Sequence, residues 1–158
     1  MPSVDFVGYD EPAGQETNPP VESTTETISI GVAGENRTNF EPHSYTIWNT
    51  DSTSHAVNLT VGNRSGIVRT TTVSIGPNAS VELTLHRPDD YAITVVVFNE
   101  SAPVSRVEIN DDTNNFDCNA KGVQLAILED GRMTASTFST MVACPDDIGQ
   151  LQPNTTSS

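Results

Sequence analysis

Val81-Glu82-Leu83-Thr84-Leu85-His86-Arg87-Pro88-Asp89-Asp90-Tyr91-Ala92-Ile93-Thr94-Val95-Val96-Val97-Phe98 holds two strands and the corner between them. Successive side chains of a strand point to opposite faces. Val81, Leu83 and Leu85 therefore share one face, and Glu82 and Thr84 the other. Arg87-Pro88-Asp89-Asp90 is a break: proline fixes its own φ, and aspartates bond back to nearby backbone. Tyr91, Ile93, Val95 and Val97 then line one face of a run that is apolar on both sides, as a strand buried in a core is. Ile93 to Phe98 is the longest apolar run of the chain, well short of the ~18 residues of a membrane span.

Working outward, the same period of two recurs at even spacing. It is carried by Ile28, Ile30 and Val32; by Tyr45 and Ile47 before Trp48; and by Val57, Leu59 and Val61. Ile67 to Ile75 is β-branched and Thr-rich. Val104, Val107 and Ile109 are less regular. Val123, Leu125 and Ile127 alternate again, and Met133 to Val142 closes the set. Turn residues separate the runs at Asn49-Thr50-Asp51-Ser52, Gly62-Asn63, Gly76-Pro77-Asn78 and Asp130-Gly131. Short strands at this spacing, with no amphipathic helix among them, predict an all-β sandwich or barrel. The first 25 residues read as an acidic Pro/Thr/Glu-rich linker, residues 26–144 as the β-domain of about seven to nine strands, and 145–158 as a polar tail.

The 158-residue chain carries a net charge of -14, although only 18% of its residues are charged. The imbalance comes from missing bases: Lys121 is the one lysine, accompanied by Arg37, Arg64, Arg69, Arg87, Arg106 and Arg132. Such a surface repels phosphates and anionic lipid, which argues against nucleic acid as a partner and against membrane insertion. Near-total loss of lysine points to a protein of high-salt surroundings, where screening relieves the self-repulsion. The start, Met1-Pro2-Ser3-Val4-Asp5, has neither the basic nor the apolar region of a secretory signal. An exported protein would have lost its signal before this start; a virion protein is made inside and needs none.

Cys118 and Cys144 flank a hairpin. Asp130-Gly131 between Val123–Glu129 and the run from Arg132 is a strong two-residue turn signal. With Glu129 facing Arg132 and one bulge residue at the glycine, the two sulfurs fall nearly opposite each other. A disulfide there would contribute about 3–4 kcal/mol through the closed loop and would require an oxidising compartment. Two free buried thiols are the alternative. Sequons stand at Asn36, Asn58, Asn63, Asn78, Asn99 and Asn154, candidates for glycosylation in a displayed protein.

Catalytic chemistry finds few footholds. No nucleophile elbow exists, and Gly62-Asn63-Arg64-Ser65-Gly66 has the wrong spacing. His43, His55 and His86 fall near different strand ends; a hairpin around Asp51 would put His43 beside Leu59 rather than His55. No Cys-x-x-Cys pair or later histidine completes a zinc set. Asp111, Asp112 and Asp117 are candidate calcium donors, but the loop lacks the glycine and twelfth-position glutamate of an EF-hand and reads equally as a solvated acidic loop. No cofactor is expected.

Tyr45-Thr46-Ile47-Trp48-Asn49-Thr50-Asp51-Ser52-Thr53-Ser54-His55-Ala56-Val57 resembles the opening of two related sandwich families. One is the cupredoxins, whose copper-ligand histidine would fall on His55. The other is the Ig-like ectodomain of haloarchaeal surface proteins, with a turn like Ile75-Gly76-Pro77-Asn78 and a strand opening like Arg87-Pro88-Asp89-Asp90-Tyr91. The resemblance covers roughly residues 26–110. It implies an Ig-like or cupredoxin-like Greek-key sandwich. A blue-copper site also needs a second histidine after its cysteine. Asn119-Ala120-Lys121-Gly122 follows Cys118 with no histidine beyond, so the resemblance implies the fold without the copper.

The expectation is a non-catalytic, salt-adapted, surface-exposed module of a haloarchaeal-type envelope protein, whose partners are other envelope proteins or further copies of itself. The alternatives are a virion decoration or spike protein of a haloarchaeal virus, and a sandwich binding an ion or small ligand.

Overall fold

In the computed structural model the described residues are 3–6, 24–31 and 41–140. They form ten strands in two five-stranded sheets with no α-helix: β1 (Ser3–Phe6), β2 (Thr24–Ile30), β3 (His43–Asn49), β4 (His55–Asn63), β5 (Gly66–Ile75), β6 (Ser80–Leu85), β7 (Tyr91–Asn99), β8 (Ala102–Asp111), β9 (Lys121–Ile127) and β10 (Met133–Ser139). One sheet has the order β1-β8-β7-β4-β5 and the other β10-β9-β3-β6-β2. The all-β sandwich read from the periodicity is the fold.

The alternation holds residue by residue. β3 and β4 bury every second side chain, and Val57, Leu59, Val61, Leu83, Val95 and Ile109 meet in one core between the sheets. β3 lies between β9 and β6, parallel to the first and antiparallel to the second, and β2 runs parallel to β6. The chain leaves β3 for the other sheet, makes the β4–β5 hairpin, and returns to place β6 beside β3. It crosses again to place β7 beside β4. These sheet changes make a Greek key. At the β6–β7 corner, Tyr91 donates from its hydroxyl to the carbonyl of Arg87 at 2.7 Å. A tyrosine opening a strand and bonding a few residues upstream is the tyrosine corner of immunoglobulin-type sandwiches.

Three local expectations are corrected. Ser3–Phe6, placed in the linker by composition, pairs antiparallel with β8 from Ser3↔Asn110 to Phe6↔Val107. Asn49-Thr50-Asp51-Ser52 is a crossover between sheets and not a hairpin turn, so His43 and Leu59 are not cross-strand neighbours. The buried Asn49 enforces this: its Nδ2 donates to the carbonyls of Thr53 (2.8 Å) and Ile75 (2.9 Å), and its Oδ1 accepts from Asp51 N–H. The β9–β10 turn has three residues, Glu129-Asp130-Gly131, and not two. Leu128 N–H donates to Arg132 O at 2.6 Å, and Asp130 and Gly131 both sit in the left-handed region at φ 63° and 92°. The register therefore pairs Ile127 with Met133, two residues short of the register that would set Cys118 directly opposite Cys144. A three-residue loop ending in a left-handed glycine is the next commonest hairpin connection after the two-residue turns.

Candidate functional site

The most concentrated polar chemistry lies inside one end of the sandwich. His43 and Tyr45 point inward from β3, and Asp111 points inward from the last position of β8 in the opposite sheet. All three are buried. His43 Nδ1 lies 2.5 Å from Asp111 Oδ2, which also accepts from the Tyr45 hydroxyl, while Asp111 Oδ1 accepts from Asn115 Nδ2 at 3.1 Å. Phe116 covers the group: its ring stacks on the His43 imidazole at 3.8 Å and 6° between planes, and tilts against Tyr91 at 6.0 Å. Burial, reinforced by the Asp111 carboxylate, pushes the Tyr45 phenol far above its ordinary range. Tyr45 is thus a fixed neutral donor. His43 Nε2 is buried without a hydrogen-bond partner among the described residues.

Chemically this is a histidine–carboxylate pair that a substrate cannot reach. A general base must come within hydrogen-bond distance of the proton it removes, and both side chains have zero exposure. The arrangement joins the two sheets. Lys121 extends it: its Nζ donates to Asn115 O at 2.8 Å and to Asp117 Oδ2 at 3.2 Å, with the side chain only 12% exposed. The one lysine of an acidic chain is a strut rather than a surface charge.

The opposite end repeats the motif. His55 at the start of β4 has Nε2 2.7 Å from Asp51 Oδ2, and its Nδ1 donates to Phe98 O at 2.8 Å. The hydrogen bond from His55 is the main cause holding the Asp51 carboxyl below its ordinary range. Both nitrogens of the residue on which a cupredoxin ligand would fall are thus engaged.

On the surface above Asp111, Arg64 in the β4–β5 turn lies 3.4 Å from Asp89 and 3.0 Å from Asp90, and its Nη2 donates to Thr113 Oγ1 at 3.0 Å. Asp90 accepts from the backbone N–H of Thr113 and then from its hydroxyl, and these bonds hold its carboxyl below the usual range. An open cleft of about 340 Å³ runs along Gly66, Ile67, Ala92 and Asp112. A smaller hollow of about 140 Å³ lies where β2 and β5 face each other across the sandwich, lined by Ile30, Val68 and Tyr91.

The candidate calcium donors are not brought together: Asp111 faces the core, Asp117 turns to Lys121, and Asp112 is exposed. No group of three or more His, Cys, Asp or Glu suited to a metal occurs among the described residues. Of the sequons, Asn63 and Asn99 sit at hairpin turns. Asn63 Oδ1 accepts from Ser65 N–H at 2.8 Å, and Asn99 is exposed. Asn78 is exposed at φ 65° and accepts from Trp48 Nε1 at 3.3 Å. Asn58 lies mid-strand on the outer face, half-buried, and donates to Thr72 Oγ1 at 3.0 Å. Asn36 and Asn154 lie outside the described residues. So does Cys144, and with it the expected pairing to Cys118, which sits half-buried in the loop before β9.

Sequence reasoning missed the His43–Tyr45–Asp111 group. A signal was present: His43 has the parity of Tyr45 and Ile47 and must face the core with them. The tyrosine corner was legible too, as a tyrosine opening a strand four residues after Arg87. No protein-family model matches the chain, and no curated protein matches it. Among the described residues, no helix is long and apolar enough to cross a membrane.

Proposed function

We propose that the domain is a non-catalytic, salt-adapted module exposed on a cell envelope of haloarchaeal type, an Ig-like sandwich that displays or spaces rather than transforms. One observation carries this reading: two of the three histidines, and the carboxylates beside them, are engaged in holding the sandwich shut. His43, Tyr45 and Asp111 close one end, Asp51 and His55 the other, and Lys121 is tied to its own loop.

The charge distribution agrees with a solvated body in brine. Asp89, Asp90, Asp112 and Asp117 gather at one end, and Asp51, Glu100, Glu129 and Asp130 at the other. High salt screens such clusters within a few ångströms. A Cys118–Cys144 disulfide belongs to the same proposal. It is supported by the hairpin remaining paired as far as Ala120 and Thr140, whose N–H donates to Ala120 O at 2.9 Å. Glycosylation at the turn sequons Asn63 and Asn99 would fit the display.

The test is the intact mass of the native protein taken from the envelope fraction, with and without reductant. The proposal expects the mass to rise by two hydrogens on reduction. An unchanged mass, with both thiols alkylated before reduction, would remove the oxidising-compartment half of the reading.

A further inference from the structure

Each sheet ends in edge strands whose outer backbone groups are open templates for another strand. Two of the four are guarded or short: β1 has four residues, and β2 carries Glu26 beside a bulge. β10 is uncharged and exposes Phe138, but it has only seven residues and buries Met133 and Thr134 at its start. β5 differs. It is ten residues long, Gly66-Ile67-Val68-Arg69-Thr70-Thr71-Thr72-Val73-Ser74-Ile75, without proline or carboxylate. β4 covers one side of it, and no strand covers the other among the described residues. Ile67 is 70% exposed and Val68 44%, two of the three large apolar side chains that stand out in this way among the described residues. The bulge opposite Val61/Gly62 falls at Val68, which leaves Arg69–Ile75 as a regular edge.

We propose that β5 pairs antiparallel with β5 of a second copy of this chain, joining two five-stranded sheets across a two-fold axis near Thr71. The occupant follows from charge. Two bodies of net charge -14 repel wherever their acidic ends meet. At β5 they present hydroxyls, methyls and one Arg69 each. A cationic partner would be drawn to the carboxylates at the two ends instead. About Thr71, Thr70 faces Thr72 of the second copy and Arg69 faces Val73, so no like charges stand opposite one another. Threonine pairs across strands are favourable, and like charges directly opposite are not. The side chains of Thr70 and Thr72 lie on the same outer face as Asn58 and Thr60, their partners on β4. That face stays uncharged across β7, through Ala92, Thr94, Val96 and Phe98. The joined sheet would thus present a broad hydroxyl-rich face between acidic ends. The pairing goes beyond the display reading: a cytosolic location would defeat that reading and leave the pairing intact.

Sedimentation velocity of the full chain in molar salt, over a concentration series, reads the association. Amide hydrogen exchange of residues 69–75 at low and high concentration locates it. The expected result is a monomer–dimer equilibrium with β5 amides protected as the dimer forms. Thr70→Glu with Thr72→Glu, both at exposed positions, should weaken it by about tenfold or more, because carboxylates then oppose each other in every pair. Ile67→Glu should act in the same direction. Ser101→Glu with Thr137→Glu adds equal charge at exposed sites off this edge and should leave association within about twofold of the parent. Circular dichroism checks that each variant is folded. Three results would overturn the proposal: a monomer at every concentration with freely exchanging β5 amides, β5 protection independent of concentration (the chain covering its own edge), or a dimer indifferent to the Thr70/Thr72 pair.

Discussion

Asp111 accepts from His43, Tyr45 and Asn115 at once, and so one carboxylate ties β3 to β8 and to the loop that follows. Removing it leaves two buried polar groups without their acceptor. A buried polar group left without its partner costs about 1–3 kcal/mol. Asp111→Ala should therefore lower the urea midpoint severely, while Asp111→Asn, which keeps an acceptor oxygen, should cost less; chemical denaturation of the pair checks the order. The Asp51 and Asp90 carboxyls titrate lower in the folded chain than in the unfolded one, chiefly because of His55 and of Thr113 N–H respectively. Their stabilisation is complete above the ordinary carboxylate pKa of about 4 and is lost as pH falls through the lower folded values. The denaturation midpoint should be flat near neutrality and fall steeply below about pH 4, and replacing His55 by Ala should flatten that fall. At this scale the sequence was only partly legible. Parity placed His43 inside, but nothing local says that its partner lies on a strand 68 residues away.

Elements were more legible than contacts, because burial imposes the period of two on every strand that packs on the core. The apolar positions of β4, β6, β7 and β9 were all assigned by alternation alone, and Val57, Leu83, Val95 and Leu125 are buried as it requires. The failures were at connections. Asn49-Thr50-Asp51-Ser52 has turn chemistry, but whether a turn joins neighbours or changes sheets depends on Asn49 reaching Ile75 O. Ser3–Phe6 is too short to carry a pattern, and it is a strand because β8 offers it an edge. Two substitutions probe the elements. Gly122 lies where β3 and β9 pair, and a Cβ there would overlap Ser44 O while meeting Phe138 Cε1 at 2.8 Å. Gly122→Ala should cost about 1–3 kcal/mol by forcing the strands apart, read as a lowered melting temperature. Asp130 holds φ 63° in the β9–β10 turn, and Asp130→Gly should be neutral or stabilise by up to about 1 kcal/mol, since glycine takes that conformation without penalty. A loss of stability in that variant would place the role of Asp130 in its side chain.

For the whole molecule, composition foretold the class and the electrostatics, and the fold explains where the charge can sit. The sheets of the core leave turns and ends for most carboxylates of the described residues, which gather at two poles. Repulsion within each pole should make the sandwich weakest in dilute buffer. Its melting temperature should rise as NaCl or KCl goes from millimolar to molar, and a flat profile would show that the poles do not strain the fold. Display depends on export and attachment rather than on packing. Brief proteolysis of intact cells of the source organism, followed by mass spectrometry of the released peptides, tests display directly. The account predicts release of peptides from this domain while the cells remain whole, and recovery only from lysed cytosol would contradict it.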